Sequence, residues 1–436
     1  MNLQGPGTAE HWTTRQKMVL ALCALAIILD GFDTQVIGFA APALLADWPI
    51  SKADLAPILG IGLAGMMLGA ALGGYIADRL GRRVTMIGSV MTFGLASGAM
   101  ALAGNLLELG FLRLIAGLGL GAAFPVATAL VAEFTPANRR SLAISISILC
   151  VPAGGILGGL FAAPLLPVIG WRGMFVIAGV LPLCVAILLA FFLPESPSFL
   201  RSRNVARSEP EPESEEQARQ PRPHTKAGSS FFRTVSEKNL RADTILLWGA
   251  FTVGLLSNYL YFNWLPVLLT ETGFDISASS IGLLVFNIGG VAGGLGAGLL
   301  TMRLGTRIPL SLVAGGGGLS ALAIALFPLS PHDAFWLLPA LALQGFCLGG
   351  TQILLYALAA HVFPVEIRAT GIGIASSVGR LGAVISTTLG ALVLAWGSTG
   401  FFLTIGAAMA AGTVCILAIK RHDPAGRSRP ADSMRT

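Results

Sequence analysis

The sequence predicts an all-α polytopic membrane protein, with twelve transmembrane helices in two six-helix halves. Three observations predict it. Of the 436 residues, 54% are hydrophobic and only 11% charged, with a mean hydropathy of +0.76. Soluble domains carry about 25% charged residues, so little of this chain faces water. Apolar runs of about 20 residues, the length that crosses the hydrocarbon, fall in two groups of six. The two groups also repeat one another. The 55 glycines fit this class, because small residues let membrane helices approach closely.

The first group predicts helices at 17–42, 55–77, 84–104, 108–132, 141–163 and 172–193. The second predicts them at 242–268, 279–301, 308–329, 334–360, 369–395 and 399–419. The expected organisation is a tail over 1–16, a first half over 17–193, a linker over 194–241, a second half over 242–419 and a tail over 420–436. The linker holds Ser208-Glu209-Pro210-Glu211-Pro212-Glu213-Ser214-Glu215-Glu216. That density of proline and acid does not bury a core, so a disordered connection is expected, with a short surface helix near 229–239. Residues 1–12 are polar and carry no apolar core beside a small-residue cleavage site, so no cleaved signal peptide is expected.

Lys and Arg set the orientation. Of 28, Arg113 and Arg380 fall inside helices and only Lys52 and Arg172 fall in odd-numbered connections. The others sit on the termini and the even-numbered connections, which places both termini and the linker in the cytoplasm of a bacterial inner membrane. The same clustering reads net charge +6 as a topology signal rather than a nucleic-acid surface. Cys23, Cys150, Cys184, Cys347 and Cys415 lie in apolar runs without metal-ligand spacing. No metal or cofactor site is expected. The sequence shows no nucleophile–base pair or phosphate loop, which argues against an enzyme. The linker and the tail after Lys420 are too short and charged for a signalling domain, which argues against a receptor.

The halves repeat at their loops. Gly74 to Arg83, after the second helix, matches Gly298 to Arg307 after the eighth. Pro136 and Arg140 recur as Pro364 and Arg368, and Gly117 and Gly121 as Gly345 and Gly349. Six plus six helices in a parallel repeat is a transporter architecture, with its site at midplane between the halves.

Asp30 and Asp33 are the residues hardest to explain as packing. Three apart on a helix, they share a face, and ionisable groups at membrane depth face a bundle interior or a water-filled path. They lie about 20 and 24 Å beyond Lys17, and Arg113, on the antiparallel fourth helix, reaches a similar depth about 6 Å below the outer surface. A carboxylate set between desolvation and a nearby guanidinium suits a proton carrier, and a structural ion pair is the alternative. Arg380 sits about 18 Å in from Arg368, close to midplane. No acid in the second half shares its depth, so its partner is the substrate's carboxylate or one of the two aspartates; guanidinium is the natural fork for a carboxylate. Asn258, Tyr259, Tyr261, Asn263 and Trp264 in helix seven, with Gln352 and Tyr356 in helix ten, suit a flat, partly polar ligand. Packing, and an interfacial belt for Trp264, are the alternatives.

The loop Gly74-Tyr75-Ile76-Ala77-Asp78-Arg79-Leu80-Gly81-Arg82-Arg83 resembles the helix 2–3 signature of the major facilitator superfamily. Asp30-Gly31-Phe32-Asp33 resembles the first helix of its aromatic acid:proton symporter family. Arg113 to Gly121, Ala132-Glu133-Phe134, Ile367-Arg368-Ala369-Thr370-Gly371 and Gly379-Arg380-Leu381-Gly382 resemble it too. The resemblance implies proton-coupled import of an aromatic carboxylate by alternating access, by a chain that works as a monomer. It also implies a gating charge cluster: Arg82 with Glu133, and Asp78 with the start of helix eleven at Arg368. Met302 stands where the second copy of the loop often carries an acid. Tyr356 and Ile374 replace the Asn and Trp that are usual in the family, and both are candidates to line the cavity. Open alternatives are a proton-driven exporter, from the glycines Gly154, Gly155, Gly158 and Gly159 of helix five, and a symporter of a non-aromatic carboxylate.

Overall fold

The computed structural model describes residues 13–136, 139–201, 234–236, 240–364 and 367–421. Most of both tails and most of the expected linker lie outside these; of the expected surface helix only 234–236 are described, and they are helical.

The first half holds α1 (Thr14–Asp47), α2 (Lys52–Leu80), α3 (Arg82–Met100) and α4 (Leu106–Phe134). A continuous run, Arg140–Phe192, is broken at Gly170, whose φ of 65° only glycine adopts readily, into α5 (140–169) and α6 (171–192). The second half holds α7 (Arg241–Glu271), α8 (Ile276–Leu304), α9 (Arg307–Ala325), α10 (Ala334–Val362), α11 (Arg368–Val393) and α12 (Gly397–Ala418). Gly397, with φ 68°, parts α11 from α12 as Gly170 parts α5 from α6. Among the described residues, nine runs are long and apolar enough to cross a membrane. Two of these, Leu142–Phe192 and Thr370–Ala418, contain two spans each, and α3 is the least apolar of the twelve helices. Mid-helix side chains such as Leu95, Leu160, Leu312, Leu319 and Val414 are exposed, forming a lipid-facing belt.

Most helices begin or end beyond the apolar runs, because the residues that start them are polar. Thr13 and Gln16 form a capping box for α1, and Ser51 and Asp54 one for α2. Asn105 accepts from the Glu108 amide at 2.9 Å, and Asp275 from that of Ala278 at 2.6 Å. A 29-residue helix such as α2 is about 44 Å long, well over the ~30 Å of hydrocarbon.

Packing repeats with the sequence. α1 lies on α5, α2 on α4 and α3 on α6. In the second half α7 lies on α11, α8 on α10 and α9 on α12. The recurring glycines are where α4 meets α2 and α10 meets α8. A methyl group on Gly117 or Gly121 would collide with the backbone carbonyl of Gly62 or Met66. One on Gly345 or Gly349 would collide with that of Phe286 or Gly290. The halves meet through α5 against α8, α2 against α11 and α1 against α7.

Thr13 and Arg421, the first and last described residues, lie at one end of the bundle, here the terminal end. Among the described residues, three pairs join the halves by hydrogen bonds or ion pairs, on the far side of midplane or at it. Lys52 Nζ meets Glu271 Oε1 at 2.6 Å, and Ser277 Oγ donates to the Ala163 carbonyl at 2.7 Å. Gln35 and Asn287 exchange amide hydrogen bonds of 2.8 and 3.3 Å.

Candidate functional site

α1 carries the carboxylates because it is surrounded by protein: every residue from Leu29 to Pro42 is buried. Its shared acidic face divides between an arginine and a cavity. Asp33 is fully buried and accepts from Arg113 Nη1 at 3.4 Å. The Arg113 guanidinium also donates to the Asp33 and Thr34 carbonyls at 3.3–3.5 Å, tying α4 to the backbone of α1. Gly62 makes room for its stem, since a Cβ there would press on Arg113 Cγ. Asp30, 4% exposed, instead lines a cavity between the halves, and its Oδ1 has no hydrogen-bond partner among the described residues.

That cavity has a volume of about 170 Å³. Its polar lining is Asp30 and Thr34 from α1, Asn258 and Tyr259 from α7 and Asn287 from α8, with Gln352 and Tyr356 from α10 and Ser376 and Arg380 from α11. The remainder is apolar and aromatic, including Met66, Leu120, Phe124, Leu149, Phe262 and Phe286. Arg380 forms no ion pair among the described residues, and it lines the cavity together with Asp30 and Tyr259. Asn258 donates to the Gly254 carbonyl at 3.0 Å, which leaves its amide oxygen for the cavity. The Gln352 Oε1 is buried without a hydrogen-bond partner among the described residues. Tyr356 sits with its hydroxyl 3.1 Å from Ser376 Oγ and its ring edge-on to Phe251.

Six of the expected site residues therefore share one cavity: Asp30, Arg380, Asn258, Tyr259, Gln352 and Tyr356. Arg113 and Asp33 stand behind α1, beside a smaller pocket reached by Asn263 and Thr34. Trp264 is fully buried and donates to the Thr387 carbonyl at 3.1 Å, so it fastens α7 to α11 and takes no place in an interfacial belt. Tyr261 is a packing residue, stacked on Phe286 with centroids 4.3 Å apart and edge-on to Phe401. Of the two departures from the family pattern, Tyr356 lines the cavity and Ile374 does not. Gln35, Thr34, Asn287 and Ser376 escaped the sequence reading. The signal they left was a lone polar side chain in an apolar helix, as with Asn287 in Leu283-Leu284-Val285-Phe286-Asn287-Ile288.

At the terminal end Arg82 pairs with Glu133. Glu133 also accepts from Ser196 and, at 2.6 Å, from Ser198. Glu195 receives the amide protons of Arg82 and Arg83 at 2.9 and 3.1 Å, capping α3. Asp78 is exposed and has no ion pair among the described residues, and Arg368 Nε donates to the Phe363 carbonyl at 3.4 Å. The structure thus joins Arg82 to Glu133 and, among the described residues, shows no ion pair between Asp78 and Arg368.

The glycines of α5 all meet close neighbours. Gly154 lies against the α1 backbone, Gly155 against Gln35 and Asn287, Gly158 against Phe39 and Gly159 against Leu284.

The family model for the Major Facilitator Superfamily matches residues 23–385 and 316–435. The chain is 35% identical to the gallate transporter of Pseudomonas putida, over 88% of this chain and 86% of that one. It is 32% identical to the 4-hydroxybenzoate transporter PcaK of Pseudomonas aeruginosa, over 98% of each. It is 34% identical to the 3-(3-hydroxy-phenyl)propionate transporter of Escherichia coli, over 90% of each. Among solved structures, a D-xylose-proton symporter superposes with a TM-score of 0.73 at 18% identity, over 92% of this chain and 97% of that one, a likeness of fold. The chain belongs to the major facilitator superfamily.

Proposed function

We propose that this member of the major facilitator superfamily imports an aromatic carboxylate together with protons, by alternating access across the bacterial inner membrane. The observation that carries the proposal is Arg380, a guanidinium facing a largely apolar cavity without an ion-pair partner among the described residues. An uncompensated cation at that depth is costly, and a substrate carboxylate on its fork removes the cost. The aromatic lining supplies faces for a flat ring. The relatives named for gallate, 4-hydroxybenzoate and 3-(3-hydroxyphenyl)propionate support an aromatic acid over an aliphatic one.

Asp30 provides the coupling. It shares the cavity with Arg380, and a charged Asp30 competes with the substrate for that guanidinium. Once Asp30 is protonated, Arg380 is free for the incoming carboxylate. Proton and acid therefore load together, and loss of the proton on the inner side restores the competition and expels the acid. Asp33, with its own arginine, positions α1 for this exchange. The basic even-numbered connections support cytoplasmic termini, so the far side, closed by Lys52–Glu271 and Gln35–Asn287, is the outer one. The Arg82–Glu133 cluster acts as the latch of the inner side, and one chain suffices for the cycle. The exporter alternative loses its footing, because each glycine of α5 already serves a close contact.

Uptake of labelled benzoate, 4-hydroxybenzoate, a hydroxyphenylpropionate and an aliphatic diacid into proteoliposomes tests the proposal. Accumulation of an aromatic acid that depends on an inward proton gradient and is lost in Arg380→Ala supports it. Uptake confined to the diacid, or drug efflux in place of uptake, refutes it.

A further inference from the structure

We propose that the Tyr356–Ser376 pair is the subsite for a hydroxyl group on the substrate's ring, opposite its carboxylate. The carrier is then selective for para-hydroxylated aromatic acids over the unsubstituted ring. This rests on the transport function proposed above, with the carboxylate on Arg380.

The geometry comes from two helices. Ser376 precedes Arg380 by one turn of α11, so both present to the same cavity, separated by a rise of roughly 6 Å. That rise is close to the span from the carboxylate carbon of a benzoate to an oxygen on the opposite ring carbon. Gln352 and Tyr356 are likewise one turn apart on α10. Counted from the terminal ends of their helices, Gln352 stands near the level of Arg380 and Tyr356 near that of Ser376. The Tyr356 hydroxyl reaches across to Ser376 Oγ at 3.1 Å. Its ring is held by Phe251, with centroids 5.2 Å apart and an interplanar angle of 81°, so the hydroxyl is aimed before any ligand arrives.

The valence is suited to a phenol. One hydrogen bond between two hydroxyls uses one proton and one lone pair, so the pair keeps a spare donor and spare acceptors. A phenolic hydroxyl donates and accepts, and it completes both. A bare ring edge at this level displaces water from the pair and gives nothing back.

The test is uptake kinetics of the full-length protein in proteoliposomes with benzoate, 4-hydroxybenzoate and 4-methoxybenzoate, under an inward proton gradient. In the wild type, KM for 4-hydroxybenzoate is expected to be roughly 3- to 10-fold below that for benzoate, the size of one net hydrogen bond. The methoxy acid, which has lost the donor, should fall on the benzoate side. Tyr356→Phe and Ser376→Ala should each bring the ratio of the two KM values towards one. Equal KM values in the wild type, or a ratio that neither variant moves, would overturn the subsite while leaving carboxylate transport intact. Failure of the wild type to take up either acid would overturn the transport proposal, and the subsite with it. The wild-type comparison does not depend on either variant folding.

Discussion

Gln35 of α1 and Asn287 of α8, fully buried and on opposite halves, bond to each other reciprocally through their side-chain amides. Asn287 also donates to the Leu283 carbonyl at 2.9 Å, and Gly155 of α5 lies directly over both amides. A neutral clasp of this kind closes the wall of the cavity away from the terminal end without the desolvation cost of a buried ion pair. Asn287→Leu should orphan the Gln35 amide and cost about 1–3 kcal/mol. The Gln35→Leu/Asn287→Leu double variant should lose less than the sum of the two single variants. Apparent melting temperatures of the four proteins in detergent measure the difference, and strict additivity would argue against the clasp.

Arg113 makes one carboxylate contact and three carbonyl contacts on α1. Arg113→Ala leaves Asp33 buried and unpaired, a loss of about 3–5 kcal/mol. Arg113→Lys keeps the charge but not the planar fork, so it should recover only part of that stability. Thermal unfolding of both variants beside the wild type decides the ranking, and equal stability of the lysine variant and the wild type would contradict it.

Gly38 faces Phe262 across the two halves, where an added Cβ would strike the Phe262 carbonyl oxygen. At Gly74 the corresponding space is open. Gly38→Ala should therefore keep the halves from closing at the end away from the termini and reduce uptake at least tenfold, whereas Gly74→Ala should leave it within about twofold. Uptake normalised to protein in the membrane gives the comparison.

By contrast, the Lys52–Glu271 pair, at the end of the bundle away from the termini, is partly exposed, and an exposed pair contributes about 0–1 kcal/mol. Lys52→Ala should shift the melting temperature by no more than a degree or two, and raising the salt should erase even that.

Much of the fold was legible because lipid imposes it: twenty apolar residues with basic loops between them mark a span wherever they occur. Helix ends were not, because Thr13, Ser51, Asn105 and Asp275 start their helices from polar flanks that hydropathy discards. The break at Gly170 was legible as the gap between the runs 141–163 and 172–193, though the sequence did not single out that glycine as the pivot. In the site, Asp30, Asp33, Arg113 and Arg380 were conspicuous because charge at membrane depth is expensive. Rise per residue placed Arg113 beside the aspartates correctly. It did not reveal that Asp33 turns to Arg113 and Asp30 to the cavity, since that depends on which helix packs where. Asn287 and Ser376 gave a weaker signal: a single amide or hydroxyl bonds back to its own helix cheaply, so its presence alone says nothing of a cavity.

The central claim is that Asp30 carries the proton that travels with the acid. Its most direct test reads luminal pH in proteoliposomes, with a trapped dye, as an aromatic acid is added outside without a pre-set gradient. After subtraction of protein-free vesicles, the wild type should acidify the lumen in step with acid uptake. Asp30→Asn should not acidify it, although the variant should still exchange labelled acid for unlabelled acid. Acidification by Asp30→Asn equal to that of the wild type would contradict the account.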